Sequence, residues 1–213
     1  MNHSDPGQLY ELLRHRLRDV LPGHGAHLRM APFHRRDPDI HGVHGRDCRQ
    51  AGVLAIVDIR VEPSFVLTIR RPELNTHGGQ ISFPGGKCEF GETHVQAAMR
   101  ETFEEIGVLP SAYKVAGALT PLFIPPSNFC VHPYLAVLTD DVSWTVDTTE
   151  VEDVLMAPFA SLVDPGNARE GVRQIRDLRV KVPYFDISGN EVWGATAMML
   201  AEITDLLGES FAS

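Results

Sequence analysis

The sequence predicts an α+β or α/β sandwich, and three observations lead to this prediction. The chain has 213 residues, which suits one domain, or one domain with an added arm. Its composition, 43% hydrophobic and 22% charged, is ordinary for a globular protein. Its predicted elements run helix, several strands, helix, further strands and a last helix. That order favours a sandwich over a doubly wound parallel sheet.

The first elements are a helix, a loop and two strands. Asp5 and Pro6 precede QLYELLRHRLRDVL, which predicts a capped helix with an apolar stripe formed by Leu9, Leu13, Leu17 and Val20 or Leu21. Residues 22–50 are rich in Gly, Pro, Asp and His, and they predict a loop. The stretches AGVLAIVDI (51–59) and SFVLTIRR (64–71) are rich in β-branched residues and predict two strands, with a hairpin as one way of joining them.

The later elements begin with a Gly/Pro-rich loop, HGGQISFPGGKCEFGE, followed by a helix over 92–106. Residues 114–123 and 131–139 predict strands, and PPSN between them predicts a turn. The remaining predicted elements are a strand with a turn or short helix (150–164), a strand (179–187) and a helix (193–208). We therefore divide the chain into an N-terminal helix and loop arm (1–50), a main domain (51–208) and a tail (209–213).

Charge and hydropathy exclude several classes of partner. The net charge of −9 argues against duplex nucleic acid, because phosphate contacts need a basic face. A small phosphorylated ligand is compatible with this negative charge if metal ions neutralise the repulsion between the two anions. No run of about 20 apolar residues predicts a membrane span, and the N-terminus does not resemble a secretory signal. The N-terminal helix is expected to pack on the domain or on a second copy, so a homodimer stays an open alternative.

Cysteine and histidine spacing indicates neither disulfides nor zinc. Cys48, Cys88 and Cys130 are widely spaced and odd in number, so we expect no disulfide framework and a reducing cytoplasm. The stretch HGVHGRDC offers His41, His44 and Cys48, which is one ligand short of a zinc site. A flexible loop is the preferred interpretation of that stretch.

The stretch RETFEEIG carries the strongest signal for chemistry. On a helix, Glu101, Glu104 and Glu105 lie near one another, where like charges are unfavourable. A solvated helix surface is the ordinary interpretation of such a trio. The preceding PGGKCEFGE favours an ion-binding site over a solvated surface, because its glycines let the backbone approach an ion closely. Carboxylates and a backbone carbonyl together are typical ligands of Mg²⁺, and Arg100 is placed to orient Glu104.

These residues resemble the box of the Nudix hydrolases, G-x5-E-x7-R-E-U-x-E-E-x-G-U, where U is a bulky apolar residue. The fixed positions match at Gly86, Glu92, Arg100, Glu101, Glu104, Glu105 and Gly107. Thr102 departs from the pattern at a U position, and its methyl group still allows packing. The resemblance implies an α/β/α sandwich with a mixed sheet, in which the box forms a loop, a helix and a loop. It also implies hydrolysis of a nucleoside diphosphate linked to another group.

The resemblance also implies roles for the box residues. Glu101, Glu104 and Glu105 would bind Mg²⁺ or Mn²⁺ with the Gly85 carbonyl, and Arg100 would orient Glu104. Glu92 would fix the loop or reach a metal through water. Divalent ions suit this reaction because they neutralise the phosphates and acidify a water. The general base is either a box glutamate or a glutamate from a later loop, for which Glu150 and Glu152 are the candidates. The alternative interpretation of these two residues is that they belong to a solvated acidic loop without a catalytic role.

The segment before the box resembles the coenzyme A diphosphatase branch, which carries LLTxRSxxLRxHxGQVxFPGG. The matching residues with candidate substrate contacts are Arg70, His77, Gln80 and Phe83, and the C-terminal WGATA (193–197) is also similar. Arg71 replaces a small Ser and Asn75 replaces a basic residue, which changes the cations available to a 3′-phosphate. Arg71 is therefore a further candidate contact. Each of these assignments has an alternative. His77 could be an ordinary loop residue, and Phe83 and Trp193 could be core residues without a ligand contact.

The leading hypothesis is a Mg²⁺- or Mn²⁺-dependent hydrolase that cleaves the diphosphate of coenzyme A or its thioesters. Its products would be 3′,5′-ADP and 4′-phosphopantetheine or the acyl form. A second hypothesis keeps the chemistry and changes the substrate to ADP-ribose, a dinucleotide such as NADH, or a dNTP. A third is a Nudix-fold binding module without catalysis, for which a degraded box would be typical.

Overall fold

A mixed sheet forms the centre of the fold, in agreement with the predicted class. The computed structural model describes residues 5–73, 79–175 and 178–211. Within these ranges the strands of the main sheet are β1 (Arg49–Asp58), β2 (Ser64–Arg70), β3 (Ile81–Ser82), β4 (Gly85–Lys87), β5 (Tyr113–Ala118), β6 (Leu122–Ile124), β7 (Phe129–Leu138) and β8 (Val151–Pro158). β1 runs parallel to β7 and antiparallel to β2 and β4, which confirms the mixed sheet.

A smaller antiparallel sheet follows in the chain. It consists of β9 (Ala168–Ile175), β10 (Leu178–Ile187) and β11 (Asn190–Trp193). The prediction found β10 and missed the two strands beside it. β9 reads AREGVRQI, where charged residues and a glycine interrupt the apolar alternation that identifies a strand.

Helices cover both faces of the main sheet. They are α1 (Pro6–Arg16), α2 (Gly23–Met30), α3 (Pro38–His41), α4 (His94–Ile106), α5 (Phe159–Val163) and α6 (Gly194–Phe211). Leu54 and Ile56 of β1 join a core with Ile106 of α4, whereas Ala55 and Val57 join a second core with α6. This alternation places α4 and α6 on opposite faces of β1. None of the helices in the described ranges is both long and apolar enough to span a bilayer.

The N-terminal region is more helical than predicted. Asp5 caps α1 as expected, since its side chain accepts a hydrogen bond from the Gly7 amide at 2.8 Å. α1 ends at Arg16, however, and of the two alternatives for the end of the stripe, Val20 is 99% exposed whereas Leu21 packs against the core. The prediction of a loop over 22–50 is wrong for α2 and α3. In α2, His27 is buried and its Nε2 lies 2.9 Å from the carboxylate of Glu202 in α6.

The prediction that the cysteines form no disulfide is also wrong. Cys48 and Cys130 are joined, and Cys88 is free. The two bonded residues are separated by 82 positions in the chain, so their spacing alone gave no sign of the pairing. They meet because β1 and β7 are parallel neighbours, with Gln50 in register with Cys130. With Cys48 and Cys130 paired, the cysteine spacing no longer indicates a reducing compartment.

A pair of histidines joins the start of α4 to β7. The rings of His94 and His132 stack with their centroids 3.5 Å apart, and both Nε2 atoms lie near Oε1 of Gln50, at 3.1 and 3.0 Å. Burial, assisted by the charge of His94, lowers the pKa of His132 to about 4. The folded protein therefore resists protonation of this pair.

We expect the pair to reduce stability in mild acid. The unfolded chain binds a proton at His132 below about pH 6.5, whereas the folded chain does so only near pH 4. The free energy of unfolding should therefore fall by about 1–2 kcal/mol between these pH values, after discounting for partial exposure. Urea unfolding at several pH values tests this. His132→Phe should flatten the profile, whereas His15→Phe, at a largely exposed position, should keep the wild-type slope.

Candidate active site

Arg100 collects three carboxylates, one from the loop before α4 and two from α4 itself. Its Nε lies 2.8 Å from Glu92, and its Nη1 lies 2.9 Å from Glu101 and 2.8 Å from Glu104. Arg100 donates hydrogen bonds to Glu92 that lower the pKa of this carboxyl to about 2, and its bonds to Glu92, Glu101 and Glu104 raise the pKa of Arg100 itself. The expected contact between Arg100 and Glu104 is thus present, and it is shared with two further carboxylates.

Local sequence fixes where α4 begins and ends. The Thr93 side chain accepts a hydrogen bond from the Gln96 amide, and Gln96 in turn accepts from the Thr93 amide, which forms a capping box. Gly107 ends the helix in the left-handed conformation, with φ of 72°. The two caps hold the register in which Arg100 reaches Glu104 one turn later.

Arg70 collects a second group of carboxylates. Its guanidinium lies 3.4 Å from Glu105 and 3.4 Å from Glu150, which is on the loop before β8. Glu105 also accepts a hydrogen bond from the Gly85 amide at 3.1 Å. Only 4% of Glu105 is exposed, and this burial raises its pKa to about 8. Burial likewise raises the pKa of Glu101.

Gly85, just before the box, and Gly86, its first residue, leave room for these carboxylates. A Cβ on Gly86 would lie 2.4 Å from the carboxyl carbon of Glu101. Gly85 has φ of 147° and a Cβ there would lie 2.4 Å from the Gly52 carbonyl oxygen. Both positions therefore require glycine for close approach, as their place before a carboxylate helix suggested.

The residue types at this site fit a hard divalent cation. Its donors are carboxylate oxygens and backbone carbonyls, which Mg²⁺ and Mn²⁺ prefer. Within the described ranges no three Asp, Glu, His or Cys side chains are already arranged so that together they could hold a metal ion. The carboxylates are divided between Arg100 and Arg70 instead. A buried carboxyl such as Glu105, with a pKa of about 8, ionises at neutral pH when a cation comes close.

A cleft of about 570 Å³ opens beside the carboxylates. Arg70, Gln80, Phe83, Gly85 and Gly86 all line it, so several of the residues selected from the sequence meet on one surface. Phe83 is 1% exposed and belongs to the core as well as to the cleft wall. The volume is typical of a site for a small organic ligand.

Other selected residues lie elsewhere. Arg71 points to the loop before β8, where its Nη1 donates to the Thr148 carbonyl at 2.7 Å. Glu152 is exposed on β8. His77 and Asn75 lie outside the described residues. The sequence interpretation missed the contribution of Pro32, from the predicted loop, to the cleft wall. No local pattern marks that role, because it depends on how the N-terminal region packs.

Comparison with known proteins decides the family. The family model of the NUDIX domain matches residues 49–178, which is more than half of the chain. The chain belongs to the Nudix hydrolase family. The match includes β1, the glycine loop and the whole of α4, so it contains every residue of the Arg100 and Arg70 groups.

Relatives agree with this assignment. An uncharacterized Nudix hydrolase, NudL, of Klebsiella pneumoniae is 32% identical over 168 residues, which cover 78% of this chain and 86% of that protein. A "Probable nudix hydrolase" of Schizosaccharomyces pombe is 32% identical over 150 residues, which cover 70% of this chain. The match spans about half of the yeast protein, at 52% of its length.

Solved structures show the same fold. The Nudix hydrolase RenU of M. smegmatis superposes with a TM-score of 0.53 at 14% identity, over 76% of this chain and 86% of that one. The MutT protein of Methanosarcina mazei superposes with a TM-score of 0.50 at 16% identity, over 76% and 95% of the two chains. At these identities the likeness concerns the Nudix fold alone.

Proposed function

We propose that this Nudix protein hydrolyses the diphosphate of coenzyme A or its thioesters. One observation carries the proposal: the segment that resembles the coenzyme A diphosphatase pattern forms one wall of the cleft. Arg70, Gln80, Phe83 and Gly85 belong to that segment, and they line the cleft beside the carboxylates. A substrate in the cleft would therefore lie against both the pattern and the box.

The box residues take the following roles in this proposal. Glu101, Glu104, Glu105 and the Gly85 carbonyl bind Mg²⁺ or Mn²⁺, which Nudix hydrolases generally use. When bound, the cations neutralise the diphosphate oxygens and increase the acidity of the attacking water. Arg100 orients Glu104 and Glu101, whose carboxylates it contacts. Glu150 is the proposed general base, supported by its contact with Arg70, which also contacts buried Glu105.

Residues outside the box complete the proposal. Arg70 and Gln80 contact the substrate from the cleft wall, and His77 is kept as a candidate contact on the pattern alone. Residues 51–208 form the catalytic domain and residues 1–50 an arm packed on it. The packing of the arm on the domain is supported by the contact of α2 with α6 through His27 and Glu202.

Product analysis tests the function. The purified chain with Mg²⁺ or Mn²⁺ is offered coenzyme A, dephospho-coenzyme A, ADP-ribose, NADH and dNTPs side by side. We expect 3′,5′-ADP and 4′-phosphopantetheine from coenzyme A, much faster than any other turnover. Faster turnover of ADP-ribose or NADH would keep the hydrolase and reject this substrate. No turnover of any compound would favour a binding module.

We further propose that Arg71 supports the loop before β8, in place of the 3′-phosphate contact expected from the sequence. Its side chain donates to the Thr148 carbonyl at 2.7 Å, and its amide donates to the Glu150 carbonyl at 3.0 Å. Arg71 therefore positions the loop that carries Glu150. We expect Arg71→Ser to lower kcat about tenfold, as loss of a residue supporting a catalytic one does, with little change in KM.

The measurement is steady-state kinetics with coenzyme A and dephospho-coenzyme A. Arg179→Ser removes an exposed arginine from β10 and should leave both constants at wild-type values. An increase in KM for coenzyme A alone would instead identify Arg71 as a contact of the 3′-phosphate and contradict the positioning role.

A further inference from the structure

Three polar side chains from three elements meet on the face of the main sheet that packs against α4. Gln50 of β1 and His132 of β7 lie on this face, because His132 is in register with Gly52, two residues beyond Gln50. Gly52 has no side chain, and the backbone of His94, the first residue of α4, lies directly against it. This close approach brings the His94 ring onto the His132 ring.

Both imidazoles direct the same nitrogen at one point. Their rings are nearly parallel, with an angle of 6° between the planes, and each Nε2 lies near Oε1 of Gln50, at 3.1 Å for His94 and 3.0 Å for His132. The Gln50 amide is oriented from its other side, where its Nε2 donates to the Cys48 carbonyl at 3.2 Å. Its oxygen therefore faces the imidazoles, so that two nitrogen donors and one oxygen donor meet.

The spacing of these three atoms is that of ligands around a single cation. Zn²⁺ binds imidazole nitrogen at about 2.0–2.1 Å, so two of its ligand atoms at angles of about 90–109° are about 3.0–3.4 Å apart. The separations of 3.1 and 3.0 Å between the imidazole nitrogens and Oε1 lie at the lower end of this range. The histidines supply only two ligands, and the Gln50 amide oxygen is the third, as a glutamine carbonyl can be.

Both imidazoles are available to a metal. Burial lowers the pKa of each, that of His132 to about 4, so both rings are neutral near neutral pH. A neutral imidazole binds a metal through Nε2 and keeps its one proton on Nδ1, so no net proton has to leave. The hydrolysis proposed above uses the carboxylates around Arg100 and Arg70 and gives this pair no role.

We propose that Nε2 of His94, Nε2 of His132 and Oε1 of Gln50 bind one Zn²⁺ ion, at a site separate from the carboxylates of the box. Imidazole nitrogen suits Zn²⁺, whereas sites built only from carboxylates and carbonyls suit Mg²⁺ and Mn²⁺. Gln50 is exposed, so water reaches the site and completes the coordination. The ion ties β1 and β7 to the first residue of α4, and this role is independent of the substrate.

Nuclear magnetic resonance of the histidine rings tests the site directly. The nitrogen-labelled full chain is titrated with Zn²⁺ in excess Mg²⁺, and the ring signals are assigned with His94→Phe and His132→Phe. We expect the first equivalent of Zn²⁺ to shift Nε2 of both rings to the metal-bound range, with the proton of each ring on Nδ1. A shift in neither ring, or in only one, at Zn²⁺ concentrations that saturate the chain would overturn the inference.

Thermal unfolding measures how far the ion holds α4 on the sheet. With Zn²⁺ about a hundredfold above its Kd, the Tm of the wild type should rise about 5 °C more than that of His94→Phe, which keeps a stacked ring without the nitrogen. His15→Phe changes a largely exposed histidine of α1 and should respond as the wild type does. An equal rise in His94→Phe would assign the effect of Zn²⁺ to other residues and contradict the site.

A third variant tests the oxygen ligand. Gln50→Leu removes the amide at an exposed position, where the fold tolerates the change. We expect its Kd for Zn²⁺, measured by calorimetry, to increase about tenfold or more, at least as much as the loss of an outer partner of a metal ligand would cause. A Kd equal to that of the wild type would remove Gln50 from the ligand set and overturn the three-ligand site.

Discussion

Replacing Glu104 with Gln is expected to lower kcat about 10³-fold, which is the size of effect seen when a group that stabilises transition-state charge is lost. A neutral amide is a poor ligand for a hard cation, and Glu104 is one of the proposed ligands. The fold should remain intact, because the Glu104 side chain is 53% exposed and contacts Arg100 on the surface of α4. Steady-state kinetics at saturating Mn²⁺ and thermal unfolding of the same preparation separate the two effects.

Glu89→Gln provides the matched control. Glu89 lies in the loop before α4, its side chain is exposed, and the substitution removes the same charge close to the site. Its kcat should stay within about twofold of wild type, as expected for a surface change outside the proposed ligand set. Full activity in Glu104→Gln would remove Glu104 from the ligand set. A loss equal in both variants would indicate general electrostatics instead of coordination.

The elements with a clear period were predictable from the sequence. β1, β2, β7 and α4 appear within a few residues of their predicted bounds, because each carries a strong apolar pattern or a cap. β4 was missed, since Gly85–Lys87 has no apolar side chain and becomes a strand only by pairing with β1. α2 was missed for a similar reason: its GHGAHLRM has a poor helical composition and is stabilised by packing on α6.

The sequence predicted which residues form the candidate site, but not how these residues pair with one another. Spacing grouped Glu105 with Glu101 and Glu104, yet Glu105 is buried against the Gly85 amide and paired with Arg70. Sequence distance could not show that Arg70 lies between Glu105 and Glu150. Thr102, the departure from the box, is fully buried, and its hydroxyl donates to the Ala98 carbonyl at 2.7 Å. This internal bond explains why a polar residue is tolerated there.

Replacing Gly52 with Ala is expected to destabilise the protein by about 3 kcal/mol or more, at the upper end of overpacking effects. A Cβ on Gly52 would lie 1.9 Å from the His94 carbonyl oxygen and 3.0 Å from the Ala98 amide nitrogen. Both are backbone atoms of α4, so no side chain can turn away to relieve the clash. α4 would have to move from the sheet, and Arg100 with its carboxylates would move with it. The free energy of unfolding measured in urea and kcat should therefore both fall.

Gly25→Ala is the control for this substitution, because it tests the same change where there is space. Gly25 lies within α2, and a Cβ there meets nothing within 4 Å. The variant should match wild type or gain up to about 1 kcal/mol, since alanine loses less backbone entropy on folding. Wild-type stability in Gly52→Ala would contradict the close contact of α4 with β1. Lost stability with unchanged kcat would instead show that the carboxylates keep their positions when α4 moves, so the position of the site would not depend on this contact.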